Sequence, residues 1–178
     1  AGLHLAPGFI DVHTHDDTHV IRRPQMEEKL SQGVTTVVVG NCGISASPVV
    51  LRGAPPNPMN LLGDADAFAY PSFADYAAAV DAARPGTNVA ALVGHTALRC
   101  THMDALDGPA DPAALQAMCD ALATALEQGA IGLSSGLAYD SAAAAPEAEV
   151  LALLAPLARI GGVYTTHLRT EMEGVLDA

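Results

Sequence analysis

Apolar residues fall along this chain in short, nearly continuous runs, separated by stretches where they recur every three or four positions. Five runs read as strands: Gly8–His13, Thr35–Gly40, Asn88–Gly94, Ala130–Ser135 and Gly162–His167. Runs without polar alternation are those expected of strands buried on both faces of a parallel sheet. The intervening stretches carry helix signals. Pro24 to Gln32 sets Met26 and Leu30 four apart and stops at Gly33. Ser72, with Asp75 three residues on, forms a capping box before the stripe Phe73, Tyr76, Ala77 and Val80, which ends at Pro85-Gly86. Asp111-Pro112 reads as an N-cap followed by proline at the first helical position, and Leu115, Met118, Leu122 and Leu126 then repeat up to Gly129. The last helix is expected from Pro146 to Arg159, with Pro156 kinking or splitting it.

Strand and helix alternating in this way predict an α/β fold with right-handed crossovers. One connection breaks the rhythm: residues 43–71 are rich in proline and glycine and show no period. Long loops after the strands of such folds are often functional. Five βα units in 178 residues fall short of a complete eight-stranded barrel, which typically needs about 250 residues and at least about 200. The chain opens almost inside its first strand and ends just after its fifth. The expectation is therefore a partial TIM-like (β/α) barrel of about five parallel units, a single domain over residues 1–178, continuing in a longer parent.

Composition narrows the function. Half of the residues are hydrophobic and 4% are aromatic, so alanine, leucine and valine do most of the packing. Twenty acidic residues against 8 basic ones leave a net charge of −12. That balance argues against binding nucleic acid through its phosphates and against an anionic membrane surface. No apolar stretch reaches membrane-spanning length, and no secretory leader opens the sequence. Cys42, Cys100 and Cys119 are an odd number at irregular spacing. They point to a reducing cytoplasm rather than a disulfide framework.

The candidate chemistry lies at the carboxyl ends of the strands. The first run leads into His13-Thr14-His15. Side chains alternate along a strand, so His13 and His15 face the same way and can share a metal, or can simply be hydrogen-bonded. The second run ends in Gly40-Asn41-Cys42-Gly43. Cys42 is either a soft zinc ligand or a small residue in a tight turn. His167 closes the fifth run. His13, His15, Cys42 and His167 all fall at one end of one sheet, where barrel enzymes place their sites, and this coincidence favours a metal. His95, after the third run, either lines the pocket and binds substrate or packs behind it. Tyr139, after the fourth, either donates to a substrate carbonyl or is a plain loop residue. Asp16 and Asp17 either orient the histidines or cap a turn. His4, His19, His102, Cys100 and Cys119 read as structural or solvated.

These residues match a known group. Pro7-Gly8-Phe9-Ile10-Asp11-Val12-His13-Thr14-His15-Asp16-Asp17 resembles the opening of amidohydrolase-superfamily barrels. Residues 33–45, with Cys42 among them, are more specific. Together with Gly94-His95-Thr96-Ala97-Leu98-Arg99, residues 132–139 and Thr166-His167-Leu168-Arg169-Thr170-Glu171, they resemble the D-aminoacylase (N-acyl-D-amino-acid deacylase) family over essentially the whole chain. The one lysine, Lys29, lies in the first predicted helix, so the carbamylated strand-four lysine of many binuclear amidohydrolases has no counterpart. The resemblance implies that Cys42 and His167 hold a tight zinc, and that His13 and His15 serve a second, weaker position. It implies hydrolysis of N-acyl-D-amino acids, with Tyr139 at the developing oxyanion. The family's further zinc histidine, its catalytic aspartate and its substrate-gripping arginine would all come after Ala178, as would closing strands; its flanking β-sandwich is also missing. The general base is therefore not in this chain, and these residues alone are expected to be inactive. Two alternatives stay open: an amidohydrolase acting on a cyclic amide or related C–N bond, and a non-catalytic metal-binding or interaction module. Unclosed sheet edges lead us to expect self-association.

Overall fold

The computed structural model describes residues 2–177. Five parallel strands form the main sheet in the order β1-β2-β5-β6-β7. They are β1 (Phe9–Asp11), β2 (Val34–Val39), β5 (Asn88–Gly94), β6 (Gly132–Gly136) and β7 (Val163–His167). The register pairs Val37 with Val89, Leu92 with Gly132 and Ser135 with Thr166. β5 has the bounds its apolar run predicts, and the others shift by only a few residues.

The sheet curls into a half-barrel, and one hydrogen bond demonstrates it. β2 and β7 are three strand spacings apart, about 14 Å in a flat sheet. Yet Thr165 in β7 places its hydroxyl 3.2 Å from Oδ1 of Asn41, two residues beyond β2. Only a curved sheet brings those side chains together. Its concave side carries small polar groups, with Ser134 donating to the Gly40 carbonyl and Thr165 to Asn41.

The convex side carries the helices α3 (Phe73–Ala83), α5 (Pro112–Glu127) and α7 (Glu147–Ile160). Val37, Val39, Val93 and Leu133 from the strands pack there against Phe73, Tyr76, Met118, Leu122, Leu153 and Leu157. Burying a side chain of this kind contributes about 1.5–3 kcal/mol, so this layer supplies most of the stabilisation. The predicted caps form. Ser72 and Asp75 make the capping box, and Asp111 accepts from the Ala113 and Ala114 amides.

Three expectations need correction. Residues 24–32 do not form one helix. Two single turns, α1 (His19–Arg22) and α2 (Glu27–Leu30), flank Met26, whose φ of 48° is left-handed. Met26 is buried and Leu30 is 40% exposed, so the pair four apart does not share one core face. Pro156 does not split α7: Leu153 and Leu157 on either side of it are buried in the same core and keep one helix. Finally, an unforeseen helix, α4 (His95–His102), follows β5 without a loop, and its Thr96 amide donates to the Gly43 carbonyl.

The long connection 43–71 is a packed excursion. A small antiparallel pair, β3 (Val49–Val50) and β4 (Ala69–Tyr70), closes it. Ile44, Val49, Met59, Leu62, Ala67 and Phe68 cluster with Ala97 of α4 beneath it. Elements two or three residues long leave no periodicity in a sequence. The remaining short helix, α6 (Asp140–Ala143), follows β6.

Candidate metal centre

β1 ends at Asp11, and His13 and His15 follow with their rings edge to face, centroids 5.6 Å apart. Nε2 of His13 lies 3.1 Å from Sγ of Cys42. One donor atom from each of His13, His15 and Cys42 lies within 4.8 Å of the other two. Nδ1 of His15 is buried with no hydrogen-bond partner among the described residues. An imidazole nitrogen left in that state, beside a thiol and a second imidazole, suits a cation that accepts nitrogen and sulfur ligands.

The turn carrying Cys42 is unusual backbone. Gly40, Cys42 and Gly43 have φ of 79°, 55° and 76°. For cysteine that region is strained, and such strain persists only where the surroundings over-determine it. They do so here. The Gly43 amide donates to Ser134 Oγ at 2.9 Å, and the same hydroxyl donates to the Gly40 carbonyl. A Cβ on Gly43 would stand 2.7 Å from the Gly136 amide nitrogen, which explains a glycine there. Asp17, wholly buried, accepts from the Ala46 amide four residues beyond Cys42, and the Gly40 amide lies close enough to favour its charge. Burial pushes its carboxyl up to about 7. Asp17 thus ties down the cysteine turn and does not orient the histidines.

Asp16 acts differently. With Asp11 it receives the Lys29 ammonium, at 2.9 and 2.8 Å, and Thr14 donates to its carboxylate. Lys29 also reaches the Thr14 hydroxyl at 3.3 Å. Partial burial opposes the Lys29 charge, but the bonds to Asp11 and Asp16 outweigh it and hold its pKa above the ordinary value. The only lysine is therefore a firmly charged brace for the His13–His15 segment.

His167 stands at the end of β7, and its Nδ1 is 3.2 Å from the Tyr139 hydroxyl. The Cys42 thiol lies close to that hydroxyl: burial pushes the thiol up and the nearby Tyr139 opposes the rise. The structure thus brings His13, His15 and Cys42 into one donor cluster and sets His167 beside it, one tyrosine away. Burial and the nearby Cys42 raise Tyr139 above the ordinary tyrosine value, so it stays a proton donor at neutral pH.

His95 is elsewhere. It begins α4 fully buried, with Nε2 2.8 Å from Glu149 of α7. Arg99, also fully buried, reaches Glu149 at 2.5 Å and the Ser141, Leu106 and Gly108 carbonyls. Burial disfavours the Glu149 charge, but bonds from His95, the Ala110 amide and Arg99 hold its carboxyl down at about 2. His95 therefore packs behind the site and offers no face to a substrate. His19 pairs with Glu28, and Cys100 and Cys119 are free thiols away from the cluster.

The sequence reading missed Asn41, Ser134, Arg99 and Glu149. Glu149 left a trace: it lies four residues before Leu153, on the apolar stripe of its helix, where an acid needs a buried partner.

The chain resembles known proteins along its whole length. The model of the amidohydrolase family matches residues 1–175. D-aminoacylase of Alcaligenes xylosoxydans xylosoxydans is 44% identical over 178 residues, which are 100% of this chain and 37% of that protein. A crystal structure of D-aminoacylase superposes with a TM-score of 0.93 at 45% identity, over 96% of this chain and 36% of that one. N-acyl-D-glutamate deacylase of Bordetella bronchiseptica, solved with zinc and a phosphonate mimic of the tetrahedral intermediate, gives 0.91 at 46% identity, over 97% and 36%. The chain spans a little over a third of the length of these relatives. With histidines after the first strand, a cysteine after the second, and a half-barrel that superposes on these enzymes, the chain belongs to the amidohydrolase family.

Proposed function

We propose that this chain forms the metal-binding part of a zinc-dependent hydrolase that converts N-acyl-D-amino acids and water to a carboxylate and a free D-amino acid. The carrying observation is the convergence of donor atoms from His13, His15 and Cys42 within 4.8 Å at the carboxyl end of the half-barrel. Similarity to D-aminoacylase and to a zinc-bound N-acyl-D-glutamate deacylase supports the substrate class.

Cys42 and His167 would hold the tight ion, with His13 and His15 serving a weaker second position. The short His13–Cys42 distance supports shared use of the thiolate. Bound zinc polarises an acyl carbonyl and lowers the pKa of a water to about 7. Tyr139, protonated and standing between Cys42 and His167, would donate to the oxygen on which negative charge develops. Lys29 and Asp16 hold the histidine segment, and Asp17 and Ser134 hold the cysteine turn, so the ligands need little rearrangement. A general base is not assigned to any residue of this chain. In this reading residues 1–178 form a single partial barrel domain with the packed 43–71 connection. The free cysteines support a reducing, cytoplasmic setting. Among the described residues no helix is long and apolar enough to cross a membrane.

The test uses the longer protein that contains this chain. Release of amino acid from N-acetyl-D-amino acids, absent for the L-enantiomers and lost on chelation and in Cys42→Ala, is expected. Equal turnover of both enantiomers, or turnover insensitive to chelation, would overturn the reading.

A further inference from the structure

Asn41 lies next to Cys42 and is 1% exposed. Its Nδ2 donates to the Val38 carbonyl at 3.0 Å and to the Val12 carbonyl at 3.4 Å. Its Oδ1 accepts from the Thr165 hydroxyl at 3.2 Å. These three partners belong to three different segments. Val12 immediately precedes His13. Val38 lies one residue before the end of β2, the strand that leads into Cys42. Thr165 sits two residues before His167 in β7. One side chain therefore joins the three stretches that carry His13, Cys42 and His167, across the open side of the half-barrel.

The chemistry of the contacts selects asparagine. Two carbonyl oxygens need two donors, and a hydroxyl needs an acceptor; a carboxamide offers both on one short planar head. Aspartate would set an acceptor against the carbonyls, and an apolar residue would leave three groups without their bond. Ser134 of β6 already holds the left-handed turn between Gly40 and Gly43, and the Asn41 carboxamide adds side-chain links from that turn to the Val12 and Thr165 segments.

We infer that Asn41 is a positioning residue: its carboxamide fixes the segments bearing His13, Cys42 and His167 relative to one another, so that the ligand spacing is set before a metal arrives. The inference rests on the metal-site reading above and goes beyond it, because Asn41 is not itself a ligand.

The experiment uses the 178-residue chain with zinc and with cobalt as probes. Metal affinity is measured by chelator competition, the cobalt–thiolate charge-transfer band reports the bond to Cys42, and circular dichroism follows folding. Asn41→Ala and Asn41→Asp are expected to weaken affinity by about 10–100-fold, as changes to residues that hold ligands commonly do. Both should also shift or weaken the charge-transfer band. Thr165→Val, which removes only the bond across the barrel, is expected to lose affinity in the same direction by less. Unchanged affinity and band in a folded Asn41→Ala chain, with binding abolished by Cys42→Ala, overturns the positioning role while leaving the metal site intact. Binding that survives Cys42→Ala overturns both. Should Asn41→Ala not fold, Thr165→Val decides: unchanged affinity and band there overturn the inference.

Discussion

Nε2 of His13 stands 3.1 Å from Sγ of Cys42, although one residue follows β1 and the other follows β2. A thiol and an imidazole at that distance, with the His15 ring beside them, form a soft and nitrogen-rich pair of donors. Adjacent parallel strands bring them together. The left-handed backbone at Cys42 then aims the sulfur inward, where an ordinary strand continuation would carry it past the histidines.

The first prediction concerns that sulfur. The 178-residue chain is expected to bind zinc weakly, and Cys42→Ala should abolish the binding, because thiolate supplies the strongest bond available to this cluster. Elemental analysis of purified protein checks it. Equal zinc content in the two proteins would remove Cys42 from the ligand set.

Gly43→Ala should destabilise the chain by about 2–3 kcal/mol, through a methyl forced into a left-handed residue and against the Gly136 amide. The distortion falls beside Cys42, so metal affinity should drop with it. A denaturant midpoint that stays at the wild-type value would show that the turn relaxes freely.

Glu149 makes stability depend on acid. Its carboxyl titrates at about 2 in the folded chain against an ordinary 4.5. The unfolded chain therefore takes up the proton first as pH falls. The stabilisation is complete above about 4.5 and is lost as pH drops through about 2, on the order of 3 kcal/mol in all. Glu149→Gln should be less stable at neutral pH, with the gap closing toward pH 2. Denaturant melts across that range test it; a gap independent of pH would rule out the Arg99–Glu149–His95 cluster as its source.

The sheet edges are β1 and β7, and on β1 Phe9 and Ile10 are 68% and 60% exposed. An unpaired edge with apolar side chains invites a second strand. The isolated chain is expected to associate, and Ile10→Lys should shift it toward monomer. Light scattering after size-exclusion chromatography measures this, and a wild-type chain that runs as a clean monomer contradicts it.

Much of this architecture is legible in the sequence. Buried parallel strands announce themselves as unbroken apolar runs, and Ser72 and Asp111 mark helix starts by chemistry that acts within three residues. Spacing along β1 placed His13 and His15 on one side, and the glycines around Cys42 marked a tight turn at a strand end. These signals are local, and local physics produces them. The tertiary structure decided what depends on distant partners. It cut the helix expected over residues 24–32 down to the single turn α2, after a left-handed Met26 that is buried in the core. It carried α7 through Pro156 because the core holds both flanking leucines. It sent His95 to Glu149, and it set His167 beside Tyr139 while His13, His15 and Cys42 converged. Asn41 is the sharpest case: its neighbours in the sequence show a turn residue, while its partner Thr165 lies 124 positions away. Hydrogen bonds and packing act over a few ångströms in space, so only the curl of the sheet could make those two residues neighbours.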